Sequence, residues 1–150
     1  MNRREFLTRT SKVACACGIG LTTSSLLTSC TNPTSQEIED TSGVELQFDI
    51  SENNFSALQS NGGSVITDSN EIDSKGLLLL RSNDQVKAFT RNCTHAGYAL
   101  LAFENGLSVC SSYHGGQFDV NGVAVSNPAT GILKSYDTDL NDNILTIYGS

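Results

Sequence analysis

Basic residues are scarce in this 150-residue chain, at 9 Lys+Arg against 16 Asp+Glu. Four of the nine (Arg3, Arg4, Arg9 and Lys12) lie in the first dozen positions, and one acid, Glu5, precedes Cys30; five bases therefore face fifteen acids beyond Cys30, a net charge of −10. A surface of that sign repels phosphate backbones, which argues against nucleic acid as a partner. It either steers basic partners toward the chain or serves solubility alone. Long apolar runs are missing too: Val13–Leu27 is interrupted by Gly, Ser and Thr and falls short of the ~20 residues that a membrane-spanning helix needs. Past residue 45 no segment carries a long apolar stripe at helical spacing, and no internal repeat is present. With 38% hydrophobic residues, the chain has enough for one modest core.

The first thirty residues read as an address. Arg3-Arg4 followed by Phe6-Leu7 resembles a twin-arginine signal, and Leu27-Thr28-Ser29-Cys30 resembles a bacterial lipobox. Residues 1–30 are thus expected to be a signal peptide. The Cys30 thiol would accept the lipid and become the mature N-terminus, and Cys15 and Cys17 would be discarded. An uncleaved anchor would tether the chain in the same place. The expected location is a bacterial membrane, lipid-anchored, on the periplasmic side or at the cell surface. Twin-arginine export carries folded proteins, commonly ones that acquire a cofactor in the cytoplasm, so it favours a cofactor here. Residues 31–42 are polar and contain Pro33, which predicts a flexible linker ahead of a domain at 43–150.

In that domain, short runs are broken by turn residues. Strands are predicted at Val44–Ile50, Ser64–Thr67, Gly76–Arg81, Gln85–Thr90, Ala99–Phe103, Leu107–Cys110, Gln117–Phe118, Val123–Val125 and Ile144–Tyr148, with one helical turn at Asn54–Ser60. Asn61-Gly62-Gly63, Glu104-Asn105-Gly106 and Asn121-Gly122 supply turns. The pattern predicts an all-β antiparallel sandwich or small barrel with long inserted loops. Asp68, Glu71 and Asp73 sit in polar runs and read as solvated surface.

Past Cys30 the chain holds only two cysteines and two histidines, in two tight pairs: Cys93-Thr94-His95 and Cys110-Ser111-Ser112-Tyr113-His114. Two thiolates and two imidazoles suit tetrahedral zinc or an iron–sulfur cluster whose histidines take one iron. Zinc-finger spacing expects a Cys pair and a His pair, whereas each loop here offers one of each. A Cys93–Cys110 disulfide is a third reading, against which the neighbouring histidines argue. No further histidine is available for acid–base work, which leaves little support for a stand-alone enzyme.

Cys-Thr-His-Ala-Gly at 93–97, Tyr-His-Gly-Gly-Gln-Phe-Asp at 113–119 and Asn127-Pro128-Ala129 with Leu133 and Tyr136 resemble the two cluster-binding loops and the proline loop of Rieske [2Fe–2S] domains. The resemblance implies a Rieske-type fold with a two-loop cluster-binding subdomain, a [2Fe–2S] cofactor and one-electron transfer for a membrane-associated or periplasmic oxidoreductase. It also implies a redox partner protein, with Cys93 and Cys110 on the buried iron and His95 and His114 on the iron near the surface. Gly97, Tyr113, Gly115, Gly116, Phe118 and Pro128 would support the loops, Pro128 from the loop that covers the cluster.

The chain departs from the family pattern in places. Three residues (111–113) separate Cys110 from His114, one more than usual, and both loop spacings return to pattern if Ser111 takes the cysteine position. Either the loop bulges to deliver the Cys110 sulfur, or the chain is a cluster-free binding or assembly module. Tyr98 and Ser112 stand where one Rieske type has an inter-loop disulfide, and Gly116 and Phe118 where it has hydroxyls that hydrogen-bond the cluster. Fewer donors imply a low-potential, ferredoxin-like centre.

Overall fold

A computed structural model of the chain describes residues 43–150. The expected signal peptide (1–30) with Cys30 and the expected linker (31–42) lie outside the described residues. Among the described residues nine strands form: β1 (Glu45–Asp49), β2 (Ser64–Ile66), β3 (Leu77–Ser82), β4 (Gln85–Thr90), β5 (Leu107–Val109), β6 (Gln117–Asp119), β7 (Ala124–Ser126), β8 (Ser135–Asn141) and β9 (Ile144–Tyr148). A 3-10 helix, Asn53–Gln59, follows β1 and buries Phe55 and Leu58. All pairings are antiparallel, in a six-stranded sheet ordered β1-β9-β8-β4-β3-β2 and a three-stranded sheet ordered β5-β6-β7. The fold is all-β, as the turn-punctuated pattern predicts.

The four leucines of β3 explain why that run does not alternate. Leu77 and Leu79 face one apolar cluster with Ile50, Leu58, Val86, Ala88, Leu145 and Ile147; Leu78 and Leu80 face a second with Phe89, Leu100, Phe103 and Phe118. Both faces of this strand are therefore covered, and each buried leucine contributes about 2 kcal/mol. The second cluster also contains Cys93 and Cys110, so the core that closes one face of the sheet is the floor of the chemical site.

The small sheet begins in a tight hairpin. Asn105 and Gly106 both have positive φ (51° and 81°), the pattern of a two-residue turn that matches strand twist, and Glu104 and Leu107 exchange both backbone hydrogen bonds, at 2.9 and 3.1 Å. This hairpin aims β5 at Cys110.

Three sequence expectations differ from the structure. Ala99–Phe103 forms no strand; Ala99 and Leu100 make single bridges to Asn92 and Cys110, since this segment joins the two loops rather than extending a ladder. Strand β8 escapes the pattern because Asp137, Asp139 and Asn141 face outward, leaving Tyr136 as its one buried apolar side chain. Asp73 is not solvated surface: it is 7% exposed, because hydroxyl and amide donors from β4, its following loop and β8 surround its carboxylate.

Candidate metal centre

The first loop leaves the end of β4. Cys93 N donates to Tyr98 O (2.9 Å) and Gly97 N to Cys93 O (2.8 Å), folding residues 93–98 into a compact tip above the Asn92–Ala99 bridge. The second loop rises between β5 and β6. Cys110 N donates to Gly116 O (2.8 Å), so the stem closes at this pair and the extra residue is accommodated within the tip, 111–115, where Gly115 N turns back to Ser112 O (3.1 Å). Ser111 N donates to Ala99 O (2.9 Å), and Leu100 bridges Cys110, which sets the loops side by side.

This hairpin register distinguishes Cys110 from Ser111 by burial. Cys110 is 2% exposed and Cys93 3%, both free thiols in the same apolar cluster, whereas Ser111 points to solvent. The two thiols are close enough that each shifts the other's proton affinity. Above them stand the exposed imidazoles of His95 and His114, centroids 5.6 Å apart and planes at 85°. Soft donors thus lie inside and borderline donors outside.

The thiols differ electrostatically. Burial pushes the Cys93 thiol up, outweighing the His95 and Ala96 amides that favour its thiolate, and the adjacent Cys110 raises it further. Burial also pushes Cys110 up, but hydrogen bonds from the Ser112 hydroxyl, the Ser112 amide and Cys93 outweigh it and leave that thiol below its ordinary value. Ser112 Oγ stands 3.3 Å from Cys110 Sγ. In sequence Ser112 reads only as a missing disulfide position; the signal for this role is a hydroxyl two residues beyond a candidate thiolate ligand.

The supporting residues separate by role. Phe118 is fully buried beneath Cys110, and Leu133 and Ala129 close the same cluster. A Cβ on Gly116 would stand 2.8 Å from Ala129 Cβ, so the second loop and the proline loop touch there. Thr130 N donates to Thr94 Oγ1 (3.2 Å), fastening the proline loop, with half-buried Pro128, to the first loop as well. Gly97 and Gly115 turn the two tips at φ 65° and 62° with open space around them. Tyr113 is 93% exposed and packs on nothing in the core; its ring lies 3.8 Å from that of His114.

The donor set fits a two-iron cluster. Two thiolates can share one metal and two imidazoles another, whereas among the described residues no three Cys, His, Asp or Glu side chains gather closely enough to hold a single ion.

The family model of the Rieske [2Fe-2S] domain matches residues 50–137. No curated protein matches the chain in sequence. Among solved structures, the cyanobacterial plasma membrane Rieske protein PetC3 from Synechocystis PCC 6803 is similar at 22% identity and a TM-score of 0.51, over 64% of this chain and 95% of that one. The quaternary ammonium Rieske monooxygenase CntA is similar at 16% identity and a TM-score of 0.51, over 63% of this chain and 30% of that one. These likenesses show a shared fold. With its motif-bearing residues inside a family match that spans more than half its length, the chain belongs to the Rieske [2Fe–2S] domain family, whose cofactor is a two-iron, two-sulfur cluster and whose chemistry is iron–sulfur electron transfer.

Proposed function

We propose that this chain is a lipid-anchored one-electron carrier on the exported face of a bacterial membrane, holding its cluster through Cys93 and Cys110 on the inner iron and His95 and His114 on the outer. The observation that carries this reading is the layering of two buried thiols beneath two exposed imidazoles. The bound cluster supplies a site that accepts and releases one electron. Cys93 and Cys110 bind it as thiolates, helped by the amides of His95, Ala96 and Ser112 and by the Ser112 hydroxyl. Phe118, Leu100 and Ala129 exclude water from the sulfur side. The imidazole edges reach solvent and give a partner protein close access.

The chemistry of that tip defines the partner's face. Between Arg91 and Lys134 the only Asp, Glu, Lys or Arg residues are Glu104 and Asp119, and both lie at the end of β5-β6 away from Cys110. The tip is therefore neutral and aromatic, with Tyr98 and Tyr113 exposed beside the histidines. Aromatic side chains of this kind anchor protein interfaces, so the partner is a redox protein with a complementary, largely uncharged face. No described helix is long and apolar enough to cross a membrane, and Cys30 supplies the anchor in this reading.

Anaerobic expression of the full chain tests the proposal. Reddish-brown protein with about two iron and two acid-labile sulfide per chain, both lost in Cys110→Ser, supports it. Colourless protein with stoichiometric zinc, or with no metal, overturns it.

A further inference from the structure

The carboxylate of Asp73 lies outside both loops, yet four donors converge on it. Thr90 Oγ1 (2.5 Å) and Tyr136 OH (3.3 Å) meet Oδ2; Asn92 Nδ2 and Lys75 N, each at 2.9 Å, meet Oδ1. The two carboxyl oxygens accept from all four, and at 7% exposure little water competes for these contacts. The donors come from four places: the last residue of β4, the residue before Cys93, the start of β8 and, from Lys75, the turn that precedes β3. Thr90 Oγ1 also accepts from the Asn92 amide (3.1 Å) and from its side chain (3.2 Å), so Thr90, Asn92 and Asp73 form a closed ring at the base of the first loop.

That ring is coupled to the metal centre through backbone. Asn92 bridges Ala99, and the Ala99 carbonyl accepts from Ser111 N of the second loop. Within the first tip, the Cys93 and Gly97 amides are tied to Tyr98 and Cys93 carbonyls, and the His95 and Ala96 amides point at the Cys93 sulfur. Turning Asn92 therefore turns the whole tip. We infer that Asp73 is a positioning residue: it clamps the stem of the first loop through Asn92 and Thr90, and so sets the Cys93 thiolate against that of Cys110. The clamp itself is read from the described contacts alone; its effect on a bound cluster rests on the proposed function.

The test uses the full chain, loaded and apo. In apo protein, amide hydrogen exchange reads the clamp without any metal. Asp73→Asn keeps one oxygen and turns an amide NH2 toward either the Asn92 and Lys75 donors or the Thr90 and Tyr136 hydroxyls, so one side of the clamp loses its acceptor. It should speed exchange at Cys93, Gly97 and Leu100 by about tenfold relative to Leu145 and Ile147 in β9. Thr90→Val should do the same, and Thr90→Ser, which keeps the hydroxyl, should restore wild-type exchange; this pair decides the matter if Asp73→Asn fails to fold. In loaded protein, the same variants should shift the reduction potential and the reduced-state spin signal, and Thr90→Ser should restore both. A uniform rise in exchange across both sheets would show general destabilisation and overturn the inference. So would identical behaviour of the Val and Ser variants. A wild-type chain that takes up no iron would end the electron-carrier reading while the exchange data still decide the clamp.

Discussion

Gly116 and Ala129 meet where the second cluster loop touches the proline loop, and a Cβ on Gly116 would stand 2.8 Å from Ala129 Cβ and 3.0 Å from Ala129 N. Any side chain at 116 must push the proline loop outward, which costs about 1–3 kcal/mol for overpacking of this kind. Gly116→Ala should lower the urea midpoint of the apo chain accordingly, and Gly116→Ala combined with Ala129→Gly should recover part of the loss. The same contact explains why this chain cannot gain a hydroxyl at 116 without rearranging its proline loop.

Cys110 rather than Ser111 is the buried member of its pair, so substitutions there should behave oppositely. Cys110→Ser should abolish iron and sulfide uptake. Ser111→Ala, on an exposed tip, should leave both unchanged and alter stability by no more than about 0.5 kcal/mol. Iron and sulfide assays on the two variants, side by side, check this.

Ser112 is a donor to the Cys110 sulfur, and removing it has a definite sign. The hydroxyl favours the thiolate, so Ser112→Ala should move the Cys110 alkylation midpoint of the apo chain to higher pH. In the loaded protein the reduced, more negative state loses a donor, and the reduction potential should fall below that of the wild type, which should itself be low because Gly116 and Phe118 bring no hydroxyl. A wild-type midpoint in the high, quinol-oxidising range would contradict this.

Tyr136 links stability to alkaline pH. Burial, followed by the nearby Asp73 carboxylate and its hydrogen bond, pushes its phenol up to about 12 from an ordinary value of 10. The folded state therefore favours the neutral phenol. Its contribution is fully present below pH 10 and is lost as pH rises toward 12. Urea midpoints across that window should fall less steeply in Tyr136→Phe than in wild type.

How far the sequence discloses these features follows from what each depends on. Gln85–Thr90 and Ile144–Tyr148 are legible as strands because their patterns are local, and the Cys-His pairs because their donor chemistry is independent of geometry. Strand β8 is not legible, since only Tyr136 and Leu140 of its seven residues are apolar and Thr138 separates them on the inward face. The burial of Asp73 is set by Thr90 and Tyr136, 17 and 63 residues away, contacts that no local pattern carries. Likewise the choice between Cys110 and Ser111 rests on a single hairpin register, the pairing of Cys110 with Gly116, which spacing alone leaves open.

The most direct measurement is electron–nuclear double resonance on the reduced, anaerobically prepared full chain. Strong nitrogen couplings from two imidazoles are expected, one set disappearing in His95→Ala or His114→Ala, with no spin signal at all in Cys110→Ser. A reduced centre with no nitrogen couplings, or one that persists in Cys110→Ser, would contradict the assignment of these four residues as the ligands.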